Sequence, residues 1–84
     1  LTRHVASQFA KDGITANAVA PGRVPTELSM QSDPETIARA TAMNPTGRLG
    51  RVEEVAATVG FLASEGGGYC NGVVIDVNGG VFMT

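Results

Sequence analysis

The segment Asn17–Glu27 reads NAVAPGRVPTE, and the interpretation of the whole chain depends on it. The run Ile14–Ala20 leads into it, is apolar at nearly every position except Asn17, and predicts a strand buried on both faces. Pro21-Gly22 is predicted to end this strand, and Thr26 then offers a hydroxyl group. A simple turn needs far less than two prolines, a glycine and a threonine, so the segment indicates a loop with a further role.

Length and composition exclude several functional classes. The chain has 84 residues, 43% of them hydrophobic, and a net charge of −2 with scattered basic residues. This length allows one domain or part of one, and the charge provides no basic surface for nucleic acid. No apolar run approaches the ~20 residues that span a bilayer, and nothing at the start resembles a signal peptide. A single cysteine, Cys70, allows no internal disulfide, so we expect a soluble, cytoplasmic protein.

Helices are predicted to alternate with strands along the chain. The first predicted elements are a helix over Leu1–Lys11, with Leu1, Val5 and Phe9 on one apolar stripe, and the strand Ile14–Ala20. A helical turn over Glu27–Gln31 follows, and then a helix that starts at Ser32-Asp33-Pro34-Glu35 and stops near Asn44-Pro45. The last predicted elements are a helix over Val52–Ser64, a second buried strand over Val73–Val77 and a turn at Asn78-Gly79-Gly80. This order predicts an α/β fold with parallel strands and a right-handed crossover.

Two apolar parallel strands cannot cover each other's edges. The first residue is Leu1 rather than Met. We therefore expect residues 1–84 to be one part of a single larger domain, and we call the polypeptide that contains them the complete protein.

Five motifs together resemble the short-chain dehydrogenase/reductase family. The segment Asn17–Thr26 resembles the stretch after the family's sixth strand. The remaining motifs follow in the family's order and with its spacing: Gly47-Arg48-Leu49-Gly50, Glu53-Glu54-Val55-Ala56, Phe61-Leu62-Ala63-Ser64, and Tyr69 and Gly72 with Val77-Asn78-Gly79-Gly80. The pattern is most similar to the 3-oxoacyl-acyl-carrier-protein reductase branch. The resemblance implies the C-terminal part of a Rossmann-type doubly wound parallel sheet that binds NAD or NADP.

The resemblance also implies a reaction and a cofactor site. The reaction interconverts a carbonyl and a secondary alcohol by hydride transfer, on a small-molecule substrate that an acyl carrier can hold. The turn Pro21-Gly22 would lie beside the nicotinamide, the backbone of Val24 would bond the carboxamide, and Thr26 would reach the carboxamide or the pyrophosphate. The residue types agree, since glycine permits close approach of a flat ring and a hydroxyl before a helix suits an anion or amide. A plain loop with Thr26 as a helix cap is the alternative.

Residues 27–46 correspond to the family's substrate lid. The apolar candidates for its wall are Leu28, Met30, Ile37 and Met43. Methionine suits an adaptable apolar surface. Short amphipathic helices that pack on a core would show the same pattern, so both interpretations stay open.

The family's catalytic Ser, its Tyr-x-x-x-Lys pair and its Gly-rich turn are absent from this sequence. Lys11 is the only lysine, and Tyr69, the only tyrosine, stands at the entry to the last strand, which favours a structural role. Gly66-Gly67-Gly68 precedes a strand, whereas a dinucleotide fingerprint follows one. We therefore assign no catalytic residue and no metal ligand to this chain. The alternative to a part of an enzyme is a non-catalytic remnant or a partner-bound oligomerisation piece.

For three further candidate residues, the sequence favours a structural role. His4 has no acid, cysteine or second histidine beside it, which indicates an exposed helix residue. Arg48 could pair with a cofactor phosphate, but a hydrogen-bond donor that fixes its own loop is favoured. Cys70 is predicted to lie in the core.

The last helix and strand are predicted to form a subunit interface. Phe61 falls off the main apolar stripe of its helix, and Gly60 beside it permits close approach of a second helix. The last strand has a free edge, which invites a partner. In the family these elements meet their copies across a two-fold axis, commonly within a tetramer. We therefore predict a homo-oligomer whose interface includes Phe61, Val73, Ile75 and Val77.

Overall fold

In the residues that the structure describes, three α-helices and two strands alternate in the predicted order. The structure, a computed structural model, describes residues 1–25, 31 and 33–83. Its helices and strands are α1 (Thr2–Phe9), β1 (Ala18–Pro21), α2 (Pro34–Met43), α3 (Val52–Ala63) and β2 (Val74–Val77). Single 3-10 turns, Ala10–Asp12 and Glu65–Gly67, follow α1 and α3. None of the described helices combines the length and apolar character of a membrane span.

The two strands pair in parallel, as predicted. Ala18 lies opposite Val74 and Pro21 lies opposite Val77. The N–H groups of Ala18 and Gly22 donate to carbonyl groups on the β2 side, both at 2.9 Å. Because successive N–H groups of a strand point to opposite sides, position 21 faces away from β2, and a proline there removes no bond of this pairing. β1 therefore includes Pro21 and ends one residue after the predicted last residue, Ala20.

β1 begins at Ala18, four residues later than predicted, because side-chain bonds replace the regular ladder before it. Asn17 donates from Nδ2 to the carbonyl of Cys70 at 3.0 Å, and its Oδ1 accepts from the N–H of Val73 at 3.1 Å. Ile14, the predicted first residue of the strand, is 47% exposed. β2 also starts one residue late, at Val74.

A second asparagine joins α1 to the approaches of both strands. Asn71 accepts at Oδ1 from the N–H of Ala16 at 3.0 Å and donates from Nδ2 to the carbonyl of Ala6 at 2.9 Å. Ala6 is the one buried apolar residue of the described chain. Asn71 therefore holds α1 at the amino-terminal end of the two-stranded sheet.

The predicted helix boundaries agree closely with the structure. Gly13 caps the 3-10 turn after α1 with φ of +79°, which favours glycine. At the start of α2, Asp33 accepts from the N–H of Thr36 at 2.8 Å, and Pro34 occupies the first turn. α2 stops before Asn44, as predicted, and α3 ends at Ala63, one residue before the predicted Ser64.

Much of the apolar surface of the chain is exposed. Val5 of the predicted α1 stripe is half-buried, whereas Leu1 and Phe9 are exposed. On α3, Val52 and Val59 are exposed although they belong to the predicted stripe. The prediction that both strands are buried on both faces is wrong for the isolated chain, because Val74 in β2 is 60% exposed.

The overall dimensions also show that the chain is open. The chain exposes 6157 Å², whereas a folded monomer of this mass exposes about 4,700 Å². Its radius of gyration is 15.5 Å, against about 12 Å for a compact domain of this length. The chain is therefore less compact than a folded monomer of this size and leaves much of its apolar surface uncovered.

Asn17 is predicted to be a principal link between the strands. Asn17→Asp keeps the acceptor for the Val73 N–H but removes the donor to the Cys70 carbonyl, which leaves a partly buried oxygen unpaired. The free energy of unfolding of the complete protein should fall by about 1–3 kcal/mol, as measured by urea denaturation. Gln8→Glu makes the same chemical change at an exposed position of α1 and should change it by less than about 0.5 kcal/mol. Equal losses in both variants would contradict the assignment.

Candidate functional site

The candidate site lies where β1 and β2 end. Because the strands are parallel, the loop Gly22–Pro25 after β1 and the turn Asn78–Gly80 after β2 emerge at the same edge of the sheet. Open α/β sheets bind ligands at this edge. A cavity of about 90 Å³ lies there, lined by residues of both loops and of the segment 44–55.

The loop after β1 has a fixed backbone and an exposed apex. The N–H of Gly22 donates to the carbonyl of Val77 at 2.9 Å, and the carbonyl of Arg23 accepts from the N–H of Gly50 at 3.2 Å. Pro21 and Gly22 are exposed, while Val24 is half-buried. At Pro21 and Gly22 the chain therefore presents hydrogen-bonded backbone with little side chain.

Gly22 has a structural role that the sequence did not reveal. A Cβ atom at this position would lie 2.7 Å from Cβ and 2.9 Å from Cα of Asn78. The loop after β1 therefore packs directly on the turn after β2. The sequence indicated glycine only for the approach of a flat ring, since the contact is between residues far apart in the chain.

The turn after β2 forms as predicted. Gly79 and Gly80 have φ of +66° and +93°, a conformation that side chains rarely adopt. Asn78 accepts at Oδ1 from the N–H of Gly80 and donates from Nδ2 to the carbonyl of Phe82, both at 2.9 Å. The side chain of Asn78 thus holds both the turn and the residues after it.

Asn44 is a buried polar residue that the sequence analysis missed. It is 8% exposed and donates from Nδ2 to the carbonyl of Asn78 at 3.2 Å. Its Oδ1 accepts from the N–H of Thr46 at 2.9 Å and from the Thr46 hydroxyl at 2.6 Å. The sequence identified Asn44-Pro45 only as the end of a helix, because nothing local shows that its partner is Asn78.

Arg48 forms a bidentate ion pair with Glu54. The two guanidinium nitrogens lie 2.8 and 2.9 Å from the two carboxylate oxygens, and Arg48 also donates to the Leu49 carbonyl at 3.1 Å. Glu54 further accepts from the N–H of Arg51 at 2.8 Å, which caps α3. Arg48 therefore fixes the loop before α3, the role that the sequence favoured over a cofactor phosphate.

This pairing perturbs both ionisable groups. The hydrogen bonds from Arg48, followed by the bond from the backbone N–H of Arg51, lower the pKa of Glu54 from 4.5 to about 2. The carboxylate in turn raises the pKa of Arg48. Glu54 therefore stays ionised at any physiological pH.

The predicted site residues separate into several groups. Pro21, Gly22 and Val24 lie together in the loop after β1, whereas Thr26, Leu28 and Met30 lie outside the described residues. On α2, Ile37 is half-buried and Met43 is 73% exposed. On the interface elements, Phe61 is 49% exposed and Val73, Ile75 and Val77 are half-buried. Val77 of the predicted interface lines the same cavity as Val24 of the predicted cofactor site.

The remaining candidates show no reactive arrangement. His4 is exposed on α1, and Tyr69 is exposed before β2. Cys70 is a free thiol and half-buried, rather than fully in a core. In the part of the chain that the structure describes, no three His, Cys, Asp or Glu residues are grouped to hold a metal ion.

Comparisons with known proteins agree on one family. The family model described as enoyl-(acyl carrier protein) reductase matches residues 1–82. The chain is 41% identical over 83 residues to a 3-oxoacyl-acyl-carrier-protein reductase of Pseudomonas aeruginosa, which covers 99% of the chain and 34% of that protein. It is 40% identical over 83 residues to the human (3R)-3-hydroxyacyl-CoA dehydrogenase, covering 99% of the chain and 32% of that protein.

A solved structure gives the same result. The crystal structure of 3-oxoacyl-acyl-carrier-protein reductase from Brucella melitensis matches with a TM-score of 0.94 and 35% identity, over 99% of this chain and 31% of that one. The chain thus spans about a third of the length of the relatives that it matches.

The Arg48–Glu54 pair predicts a specific dependence of stability on pH. Since folding lowers the pKa of Glu54 from 4.5 to about 2, the pair's contribution is complete above pH 4.5 and is lost as the pH falls towards 2. Glu54→Gln should therefore lower the melting temperature of the complete protein at pH 7, and the difference from wild type should shrink below pH 4.5. Glu53→Gln, at the exposed neighbouring position, is the control. A difference that is constant from pH 7 to pH 3 would contradict the assignment.

Proposed function

Because the chain belongs to the short-chain dehydrogenase/reductase family, we propose that it is the C-terminal part of an NAD(P)-dependent oxidoreductase that interconverts a carbonyl and a secondary alcohol. One observation carries the proposal. The loop Pro21–Val24, whose sequence resembles the family's nicotinamide loop, lies at the carboxyl end of a parallel strand with its apex exposed. This is the edge at which open α/β sheets bind their ligands.

The substrate that we propose is a 3-oxoacyl thioester, or the 3-hydroxyacyl thioester in the reverse direction. The two relatives carry different names, but both names place an oxo or a hydroxy group on the third carbon of an acyl chain. In the reduction, the carbonyl carbon gains a hydride and its oxygen gains a proton, which yields the 3-hydroxy product. The reduced nicotinamide would supply the hydride.

The residues of the loop after β1 fit a flat, uncharged ring. Pro21 and Gly22 are exposed and present little side chain, so a planar ring can lie against their backbone. The bonds Gly22 N–H to Val77 and Gly50 N–H to Arg23 fix this backbone in advance. We propose that Pro21 and Gly22 support the nicotinamide face and that the Val24 main chain holds the carboxamide, with Thr26, outside the described residues, contributing its hydroxyl.

We propose that α2 provides part of the wall that covers an acyl substrate. Met43 is 73% exposed at the end of α2 and Ile37 is half-buried in it. A flexible apolar side chain such as Met43 can adapt to an acyl chain and exclude water from it.

The proposed activity is tested directly with the complete protein. It should oxidise reduced NAD or NADP in the presence of an acetoacetyl thioester. The loss of the absorbance of the reduced nicotinamide measures the reaction. Purified residues 1–84 alone should turn over nothing, because the family's Ser, Tyr and Lys are not among them. Absence of any carbonyl reduction by the complete protein would contradict the proposal, as would turnover by the 84 residues alone.

Thr26→Ala tests the proposed cofactor contact. If the hydroxyl bonds the cofactor, the substitution in the complete protein should weaken cofactor binding by about 2- to 12-fold, which corresponds to one hydrogen bond. Titration of NAD(P)H fluorescence measures this. Thr58→Ala is the control, since its hydroxyl bonds the Glu54 carbonyl within α3. An unchanged affinity with a lowered melting temperature would show that Thr26 is only a helix cap.

We further propose that α3 and β2 form the interface of a homo-oligomer. Phe61 is 49% exposed on α3, and Val74 is 60% exposed on β2. Large exposed apolar side chains on adjoining elements are typical of a surface that a second protein covers. A closed two-fold pairing is the commonest arrangement that covers such a surface.

Phe61→Glu tests this interface in the complete protein. A carboxylate at the centre of an apolar contact must be desolvated without a partner, so the assembly should dissociate into smaller species while cofactor affinity is retained. Light scattering measures the mass. Ala38→Glu adds the same charge at an exposed position of α2 and should leave the assembly intact. A monomeric parent protein, or an unchanged mass for Phe61→Glu, would contradict the interface.

A further inference from the structure

A hydrogen bond at its C-terminal end links α2 to the turn after β2. The helix makes no extensive contact with any other described helix or strand. Directly after it, the buried side chain of Asn44 donates to the carbonyl of Asn78 at 3.2 Å. This bond joins the C-terminal end of α2 to the turn after β2.

The attachment of α2 is itself braced by Thr46 and Gly79. Both Thr46 bonds to Asn44 Oδ1 fix the orientation of the amide, so its Nδ2 points at the Asn78 carbonyl. A Cβ atom at Gly79 would collide with Oδ1 of Asn44 and lie 2.9 Å from its Nδ2. The Asn44 side chain thus packs closely against the turn after β2.

The same turn also carries the loop that we propose for the nicotinamide. Gly22 packs against Cα and Cβ of Asn78, and the Gly22 N–H bonds Val77 next to it. One residue, Asn78, therefore contacts the loop after β1 through its Cα and Cβ and Asn44 through its carbonyl. These two contacts connect the loop after β1 with the end of α2.

We propose that Asn44 is a positioning residue that keeps α2, as part of the substrate wall, at a fixed place relative to the loop Pro21–Val24. This inference rests on the proposed function for the identity of the substrate wall, but the attachment itself rests on the contacts of Asn44. Asn44 touches neither substrate nor cofactor in this proposal. It acts through Asn78.

Asn44→Asp separates the attachment from the rest of the residue's contacts. The aspartate keeps an acceptor for both Thr46 bonds but places a carboxylate oxygen against the Asn78 carbonyl in place of the donor. In hydrogen exchange of the complete protein, the peptide that covers residues 34–43 should exchange at least about 5-fold faster, because the loss of one buried bond allows local opening. The peptide that covers residues 52–63 should be unchanged.

Asn71→Asp is the matched control. Asn71 has the same arrangement of an accepting Oδ1 and a donating Nδ2, but it lies at the opposite end of the sheet and bonds Ala16 and Ala6. This variant should speed exchange in α1 and leave the peptide 34–43 unchanged. An unchanged peptide 34–43 in Asn44→Asp, or the same acceleration in both variants, would overturn the proposal.

Thr46→Val provides a milder second variant if Asn44→Asp does not fold. It removes the hydroxyl that orients the Asn44 amide, while the backbone bond from Thr46 remains. Exchange of the peptide 34–43 should then accelerate by about 2-fold or more, again without change in α3. No acceleration in Thr46→Val would count against the attachment.

A kinetic measurement separates positioning from mere stability. In Asn44→Asp, KM for an acetoacetyl thioester should rise at least about 5-fold while kcat changes less than about 2-fold, since wall contacts with the substrate are lost but the chemistry is not altered. In Asn71→Asp both constants should stay near wild type. An unchanged KM together with accelerated exchange would refute the positioning role. If the wild-type protein has no activity at all, the proposed function is refuted. The hydrogen-exchange result then still decides whether Asn44 attaches α2 to the turn after β2.

Discussion

The parallel pairing of β1 with β2 determines where the parts of the candidate site lie. Its register, with Ala18 opposite Val74 and Pro21 opposite Val77, places the carboxyl ends of both strands at one edge. The loop after β1 and the turn after β2 can then touch, and Gly22 packs on Asn78 without room for a side chain. Asparagine side chains close the two ends of the sheet, with Asn17 and Asn71 before the strands and Asn44 and Asn78 after them.

Features set by neighbouring residues were predictable from the sequence. The start of α2 follows from Asp33-Pro34, since a capping carboxylate and a proline in the first turn act within four residues. The left-handed Gly13 and the glycine turn after β2 are equally local. The order of elements and the parallel sheet were also predicted, because the alternation of helix and strand leaves few topologies.

Features set by distant partners were not predictable. The apolar run before Ala18 looks like strand, but the side chain of Asn17 replaces the ladder by bonding residues more than fifty positions away. Asn44 looks like a helix end until Asn78 is known to lie beside it. The apolar stripe predicted the helix α3 correctly, yet Val52 and Val59 are exposed, and an apolar stripe alone does not show whether anything packs over it. For the site, the loop position was predictable, while the packing that fixes the loop was not.

We propose that the loop Pro21–Val24 at the carboxyl edge of the sheet holds the nicotinamide. A crystal structure of the complete protein with reduced NAD or NADP would locate the ring. We expect the nicotinamide ring against Pro21 and Gly22, with its carboxamide within about 3.2 Å of a main-chain atom of Val24. A nicotinamide bound away from this loop, or at the amino-terminal ends of the strands, would rule out this binding site.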